Sequence, residues 1–150
     1  MKAVIQRVKR ASVTIEGRET RSIGPGLCIL FGVRTTDDPA ECEKLAQKCA
    51  SLRIFEDDEG KLNVSAEQLG LEALVVSNFT LYGDTRRGRR PSFDKAAKPP
   101  LSTDCYERFV ECLRATQLKA VKTGEFGAEM QLELANDGPV TIVIETDDWK

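Results

Sequence analysis

Apolar and polar residues alternate at the start of the chain, with the period of two that is typical of half-buried β-strands. This alternation predicts strands at 2–9, 11–16 and 19–23, and a nearly continuous apolar run predicts a buried strand at 26–33. The alternation breaks at Arg10 and Ala11, which favours a hairpin between the first two strands. We therefore expect four strands before the first helix.

Two later segments have the 3.6-residue periodicity of helices with one buried face. The first is expected to begin with Asp38 as its N-cap, Pro39 at its first position and Glu41 at its third, which is a capping box. Its buried stripe is predicted to contain Cys42, Leu45, Ala46, Cys49 and Leu52. The second helix, at 102–117, is expected to be capped by Ser102 or Thr103 and to bury Tyr106, Phe109, Val110 and Leu113.

The remaining apolar runs predict strands at 71–83, at 119–123, at 129–135 and at 139–146. Strands that precede, separate and follow two helices indicate an α+β fold. We expect a single domain, residues 1–150, in which a curved, mainly antiparallel sheet or barrel packs against two helices. A chain of this length buries enough surface for a core of its own.

Composition excludes several kinds of chemistry. Histidine is absent, so the chain has no Ser-His-Asp relay, no histidine-ligated metal and no imidazole acid or base. The five cysteines form no C-x-x-C pair, and Cys42/Cys49 and Cys105/Cys112 are each spaced too far along a helix for a disulfide. We expect buried free thiols, no metal and no cofactor. With no apolar run near ~20 residues and no signal-peptide pattern, we expect a soluble, cytoplasmic protein and no membrane partner.

A basic loop, residues 86–98, contains Arg86, Arg87, Arg89, Arg90, Lys95 and Lys98. One interpretation is an ordinary solvated loop. The other is a nucleic-acid contact, because arginines beside aromatic residues bind phosphates and stack on bases. Since the formal net charge of the chain is −2, any such contact is expected to cover a small part of a nucleic acid, such as one end.

The segment NDGPVT, residues 136–141, precedes the last predicted strand. Asn and Asp tolerate left-handed backbone, Gly adopts positive φ and Pro fixes φ near −65°. Turn chemistry alone therefore predicts a plain hairpin turn here.

Two motifs change this interpretation. SNFTLY at 77–82 and GPVT at 138–141 resemble the S-Q-F-T-L-Y and G-P-V-T motifs of the D-aminoacyl-tRNA deacylases. The resemblance covers essentially the whole chain, including IQRVKRASVTIEG near its start, RRPSF in the basic loop and NDGPVT. Either motif alone is weak, whereas the two at this separation are specific. The resemblance implies that residues 1–150 form one deacylase domain that works as a homodimer.

The resemblance also implies a role for NDGPVT, which we call the gate segment. In this family the Gly-Pro peptide is cis and reaches from one subunit into the active site of the other, where it admits glycine or a D-residue and excludes L side chains. Gly138 and Pro139 match that peptide, and a main-chain carbonyl there is expected to hold the α-ammonium of the substrate. Arg7 matches the arginine that orients the gate, although an exposed strand charge is the alternative.

The implied chemistry agrees with the lack of histidine. An aminoacyl ester is already activated, and the 2′-OH of the terminal adenosine can position or activate water, so the enzyme needs mainly orientation and oxyanion stabilisation. Backbone N–H groups of Phe79 and Thr80 are the candidate oxyanion donors, and Phe79 is expected to fix the adenine or ribose. A nucleophilic Thr80 hydroxyl is the second choice, since no base is nearby to deprotonate it.

Further residues are assigned to substrate binding by the same resemblance. Phe126 and Met130 match positions that line the adenosine pocket, although either is equally plausible as core. Ser77 is expected to hydrogen-bond the loop, with a simple strand-end hydroxyl as the alternative, and Ala96 of the basic loop is grouped with these residues. Position 78 is Asn where the family usually has Gln, so a side-chain contact from Asn78 to the substrate is in doubt, whereas a backbone contact is not.

We therefore expect an enzyme that hydrolyses the ester of D-aminoacyl-tRNA, and glycyl-tRNA mischarged on tRNA-Ala, at the 3′ terminal adenosine, as chiral proofreading in translation. Arg86, Arg87, Arg89 and Arg90 are expected to bind the tRNA. The alternatives are a non-catalytic nucleic-acid-binding module that uses the basic loop, and a structural interaction protein without catalysis.

Overall fold

The first strand is one long element rather than a hairpin. In the computed structural model, which describes residues 1–150, β1 runs from Lys2 to Ile15. Its register against β8 shifts on both sides of Val8, and such a bulge interrupts the inside-outside alternation as a turn would. The predicted hairpin around Arg10 and Ala11 is therefore wrong. β2, Glu19–Ile23, and β3, Gly26–Gly32, follow as predicted.

The last strand is also a single element. β8 spans Met130–Glu145 and pairs antiparallel with β1 along nearly its whole length. Thr141 pairs with Gln6, and Asn136 pairs with Val8, so the residues between them bulge out of the ladder. The two strands predicted at 129–135 and 139–146 are thus two halves of β8. The hairpin-turn interpretation of NDGPVT is wrong, because both halves run in one direction along the same partner.

A six-stranded sheet of mixed direction forms the frame. β6, Glu72–Ser77, pairs parallel with β3, and β7, Ala120–Thr123, pairs parallel with β6, whereas the three pairings of β1 are antiparallel. The sheet curls toward closure, since the Arg21 side chain of β2 donates to the Thr123 carbonyl of β7 at 2.9 Å. The expected α+β fold, a curved and mostly antiparallel sheet with two helices, is confirmed.

The two helices pack on each other and on the sheet. Asp38 caps the first helical segment, accepting the Ala40 N–H at 2.9 Å. A 3₁₀ turn at Pro39–Glu41 then leads into α1, Cys42–Ser51. Glu41 completes no capping box, and its carboxylate lies 3.4 Å from the Lys150 ammonium instead. A two-stranded hairpin of β4, Phe55–Glu56, and β5, Leu62–Val64, follows.

The second helix, α2, spans Leu101–Arg114. Its N-cap is Pro100, so the predicted cap at Ser102 or Thr103 is wrong, and the Thr103 hydroxyl donates to the Pro100 carbonyl at 2.9 Å. All the predicted inward residues are buried except Leu52, which packs against the core while partly exposed: Cys42, Leu45, Ala46, Cys49, Tyr106, Phe109, Val110 and Leu113. Phe109 stacks on Phe31 of β3 with ring centroids 4.4 Å apart, which fixes α2 to the sheet.

The helices leave a smaller core under the distal half of β1. Val8, Val13 and Cys28 belong to this second cluster, and Met130 packs against it from the start of β8. Neither helix is long and apolar enough to cross a bilayer. β8 carries the gate segment, its partner β1 carries Arg7, and the end of β6 carries the SNFTLY motif.

Candidate active site

The SNFTLY motif lies where β6 ends. The strand stops at Ser77, and Phe79–Tyr82 form one 3₁₀ turn, so the strand predicted to reach residue 83 is shorter. The Asn78 N–H still donates to the Phe31 carbonyl of β3 at 2.8 Å. A Cβ at Gly32 would lie 3.1 Å from the Asn78 carbonyl oxygen, so the motif lies directly over β3. The sheet therefore holds the beginning of the motif in place.

The backbone after Asn78 presents two donors to solvent. Neither the Phe79 N–H nor the Thr80 N–H has an acceptor within the chain, and both residues are exposed. The turn begins here, so no earlier carbonyl of a helix is in reach of these donors. Two adjacent unpaired N–H groups can bind an oxyanion without rearrangement.

The side chains of the motif form one internal hydrogen bond. The Thr80 hydroxyl donates to the Asn78 amide oxygen. An amide oxygen is too weak a base to remove that proton, so the hydroxyl stays protonated and its lone pairs face away from Asn78. The Asn78 side chain therefore contacts Thr80. Ser77, at the end of β6, is half-buried.

Phe126 and Met130 lie near the same end of the sheet. The Gly124 N–H donates to the Val75 carbonyl of β6 at 3.0 Å, and a Cβ at Gly124 would lie 2.5 Å from the Met130 sulfur. The Phe126 ring lies 5.8 Å from that of Tyr106. Both residues are partly exposed and pack against the core, and their place in an adenosine pocket stays a prediction.

Ala96 is buried within the base of the basic loop. It forms a bridge to Arg34, and its N–H donates to the Phe93 carbonyl at 3.0 Å. The Phe93 ring in turn lies edge-on to Phe79, with centroids 5.2 Å apart. Ala96 therefore lies under the loop, and Phe93 lies at its surface.

The gate segment is held by two side chains. Arg7 is 7% exposed, and its guanidinium donates to the Asp137 carbonyl at 2.7 Å and to the Ile54 carbonyl at 2.8 Å. The alternative of an exposed strand charge is therefore wrong. Asn136 accepts the Val140 N–H at 2.7 Å and donates to the Val140 carbonyl at 3.1 Å, closing the bulge. The sequence did not predict this role for Asn136, because an asparagine that closes a bulge cannot be told by residue type from one that forms a turn.

Between these supports, Gly138 and Pro139 are exposed and joined by a cis peptide. Gly138 has φ +148°, and a Cβ there would lie 2.7 Å from the Val140 nitrogen. Only glycine fits this backbone, because an added side-chain atom would overlap the Val140 backbone. The tip of the gate segment is therefore exposed, while its base is held by Arg7 and Asn136.

The chain does not bring its two motifs together. Arg7 pairs with Leu27, which pairs with Ala73, whereas Ser77 lies four residues further along β6. The gate segment leaves β8 on the other side of β1, level with Arg7, so three strand spacings and four residues of rise separate the motifs by on the order of 20 Å. The Gly138 carbonyl and the N–H groups of the SNFTLY motif therefore belong to separate places on one chain.

The basic loop is unevenly neutralised. Arg86 donates to both carboxylate oxygens of Asp84, with contacts from 2.7 to 3.1 Å. These bonds hold the pKa of the Asp84 carboxyl well below its usual range. Arg87, Arg89 and Arg90 are exposed and form no ion pair. Three of the four predicted tRNA-binding arginines are thus free to bind phosphate, whereas Arg86 is engaged within the loop.

The cysteines lie outside this site. All five thiols are free and buried, as predicted. Burial raises the pKa of the Cys28 thiol to about 11 and that of the Cys49 thiol to about 12. No three His, Cys, Asp or Glu side chains are grouped so as to hold a metal ion.

Comparison with known proteins identifies the class to which this fold and these motifs belong. The family model described as D-Tyr-tRNA(Tyr) deacylase matches residues 4–145. The D-aminoacyl-tRNA deacylase of Carboxydothermus hydrogenoformans is 52% identical over 145 residues, covering 97% of this chain and 99% of that protein. That of Symbiobacterium thermophilum is 54% identical over 147 residues, covering 98% and 97%.

Solved structures agree on the fold. The c-Myc DNA unwinding element binding protein superposes with a TM-score of 0.89 and 42% identity, covering 97% of this chain and 98% of that one. A probable eukaryotic D-amino acid tRNA deacylase superposes with a TM-score of 0.85 at 14% identity, covering 95% and 97%, and supports the fold alone.

The class is that of hydrolases acting on the ester bond of an aminoacyl-tRNA. Within it, the chain belongs to the D-Tyr-tRNA(Tyr) deacylase family and is a D-aminoacyl-tRNA deacylase. The resemblance and the assignment as an enzyme are confirmed.

Proposed function

We propose that this deacylase releases a D-amino acid or glycine from the 3′ terminal adenosine of tRNA, in the cytoplasm, as chiral proofreading during translation. Glycyl-tRNA mischarged on tRNA-Ala falls within this substrate range, because glycine has no side chain to exclude. The observation that carries the proposal is the pair of unpaired N–H groups on Phe79 and Thr80 at the exposed end of β6. They can receive the oxyanion that forms when water attacks the ester carbonyl.

The reaction needs no protein nucleophile. Water adds to the ester carbonyl, the tetrahedral oxyanion is bound by the two N–H groups, and the ribose oxygen leaves with a proton. The vicinal 2′-OH of the adenosine positions the water and exchanges the proton, which supplies the acid-base step that the chain lacks without histidine. The Thr80 hydroxyl, already bonded to Asn78, orients the substrate through its oxygen lone pairs.

Adenosine is held beside these donors. Phe79 is 56% exposed and offers a ring face to the adenine or ribose. The partly exposed Phe126 and Met130 and the half-buried Ser77 are assigned to the adenosine pocket by the family resemblance, and the buried Ala96 supports the basic loop through its bridge to Arg34. The free arginines at positions 87, 89 and 90 bind the phosphates upstream of the adenosine.

Stereoselectivity comes from the gate segment of a second subunit. Gly138 and Pro139 are on the order of 20 Å from the N–H groups of their own chain, so we expect the gate that reaches the ester to come from a partner. The Gly138 carbonyl then accepts the α-ammonium, and the rigid segment overlaps an L side chain while leaving room for a D side chain. Rejection by overlap protects the far commoner L-aminoacyl-tRNA.

A homodimer is therefore part of the proposal. β8 pairs only with β1, so its outer edge has no strand partner, and Val143 on this strand is 58% exposed. A long open edge with exposed apolar side chains is a surface at which a second copy can pack. Sedimentation at about micromolar concentration is expected to give a species of twice 16.6 kDa. An active protein that stays monomeric would exclude a gate acting between subunits.

The test is ester loss from D-tyrosyl-tRNA and L-tyrosyl-tRNA mixed separately with the protein. We expect hydrolysis of the D-ester and protection of the L-ester. A covalent acyl adduct on Thr80, detected by mass spectrometry, would instead identify the hydroxyl as nucleophile. Equal rates on both esters would contradict the gate.

The alternative is a non-catalytic nucleic-acid-binding module. It is favoured by the 42% identity to the c-Myc DNA unwinding element binding protein and by the free arginines of the basic loop. Binding of DNA or RNA without loss of either tyrosyl ester would support this alternative.

A further inference from the structure

Two exposed phenylalanines form a single aromatic surface beside the SNFTLY motif. Phe79 is 56% exposed and Phe93 is 39% exposed, although large aromatic side chains usually bury most of their surface. Their ring planes cross at 75° with centroids 5.2 Å apart. Phe79 has a role in the proposed site, whereas Phe93 has none so far.

The Phe93 ring is held in position by the backbone. Asp84 and Ser92 exchange two backbone hydrogen bonds of 2.7 and 2.9 Å, which close the loop just before Phe93. A Cβ at Gly83 would lie 3.2 Å from the Phe93 ring, so the ring lies against the backbone at that point. Phe93 is therefore a fixed surface at the base of the basic loop rather than a side chain on a loose tip.

The loop that carries Phe93 is rich in cations. It contains six Lys or Arg residues and one acidic residue, Asp94. Arg86 and Lys95 pair with Asp84, which leaves four exposed cations without an ion pair: Arg87, Arg89, Arg90 and Lys98. A groove of about 630 Å³ lies along Phe93; its other lining residues include one cation, Lys98, and one carboxylate, Asp94, together with Thr35, Pro91, Ser92 and Ala96. An exposed ring beside free cations matches the chemistry of a nucleotide, whose base stacks and whose phosphate is an anion. An apolar protein partner would require no such excess of positive charge.

The position of the aromatic surface indicates which nucleotide it contacts. In the proposed function the terminal adenosine contacts Phe79, and Phe93 is the next ring, 5.2 Å away. Consecutive bases of a single strand can stack on successive aromatic side chains. We propose that Phe93 is the stacking surface for the unpaired base immediately 5′ of the terminal adenosine of the RNA substrate.

This inference rests on the proposed function and extends the site by one nucleotide. It assigns to the loop a contact that distinguishes a tRNA end from an isolated aminoacyl-adenosine. Since stacking accepts any base, the contact adds affinity without adding sequence selectivity.

The test compares D-tyrosyl-tRNA with the D-tyrosyl ester of adenosine, which has no preceding base. For Phe93→Ala we expect the ratio of the KM for tRNA to the KM for the short ester to rise about 5- to 150-fold, the range of one stacked base. Phe93→Tyr retains a ring and should keep the wild-type ratio. Leu62→Ala, at an exposed apolar residue of the β4–β5 hairpin, is the matched control.

A tRNA lacking the base immediately 5′ of the terminal adenosine completes the experiment. For the wild-type protein, the KM for this tRNA should exceed the KM for intact tRNA by the same factor. For Phe93→Ala, the KM should be the same for both tRNAs. Equal increases in KM for both substrates would mean that Phe93 acts only through Phe79, which would overturn the inference. Affinity for uncharged tRNA is measured in parallel, so a weaker Phe93→Ala complex supports stacking even if no ester is hydrolysed, and an unchanged complex contradicts it.

Discussion

The buried Arg7 side chain connects three distant parts of the chain, and its removal is expected to affect both stability and selectivity. Its guanidinium bonds the Asp137 carbonyl and the Ile54 carbonyl and lies 3.8 Å from the Asp137 carboxylate. In Arg7→Met a side chain of similar length remains, but both carbonyls lose their charged donor.

The expected cost follows from those two bonds. A hydrogen bond from a charged group contributes about 1.5–3 kcal/mol, and the methionine recovers part of this by avoiding burial of a charge, so we expect a net loss of about 2–4 kcal/mol. At this chain length the loss corresponds to a fall in Tm of roughly 5–15 °C. Arg7→Lys, whose ammonium can reach only one of the two carbonyls, should lie between Arg7→Met and the unchanged protein.

The assay is urea unfolding followed by far-UV circular dichroism, together with the D-to-L ratio of tyrosyl-tRNA hydrolysis. We expect the ratio to fall in Arg7→Met, because the peptide that leads into Gly138 loses its anchor. Arg10→Met, at an exposed position on the same strand, is the control and should change neither quantity. An unfolding free energy within about 0.5 kcal/mol of wild type would refute the role of these bonds.

Three further changes test the gate, the basic loop and the thiols. Gly138→Ala should fold but lose activity on the D-ester, because its Cβ overlaps Val140. Gly60→Ala, also at positive φ but in open space, should keep this activity. A Gly138→Ala variant with the wild-type rate on the D-ester would contradict the gate. Arg87, Arg89 and Arg90 changed together to Ala should weaken tRNA binding and lower its salt slope by about 2–3, with the D preference intact. Native thiols should resist alkylation near pH 8 and react as pH approaches their raised pKa values, about 11 for Cys28, while rapid native labelling would contradict their burial.

Local sequence patterns were sufficient for the helices and the core. The apolar stripes around Leu45 and Phe109 have a helical period, and both stripes are buried. The apolar run at 26–33 lies in a fully paired strand, because a buried strand needs apolar residues on both faces. The SNFTLY and GPVT motifs indicated the family, since every position except Asn78 matches the family pattern.

The two long strands were mispredicted because a turn and a bulge interrupt the alternation in the same way. Arg10 and Ala11 interrupt it without reversing the chain, and residues 137–140 leave the ladder and return to it. Whether the chain then turns back or continues depends on which strand is available to pair. That partner lies more than a hundred residues away in sequence for both β1 and β8.

The helical faces, the buried thiols, the lack of imidazole chemistry and the family can be predicted from the amino-acid sequence alone. Other features follow only from the folded chain: where the motifs lie relative to each other, that Arg7 anchors the gate segment, that Arg86 is engaged by Asp84, and that Phe93 lies against Phe79. The difference arises because periodicity, capping and residue type depend on residues only a few positions apart in the chain. Strand pairing and buried hydrogen bonds, by contrast, join residues whose separation along the chain carries no local signal.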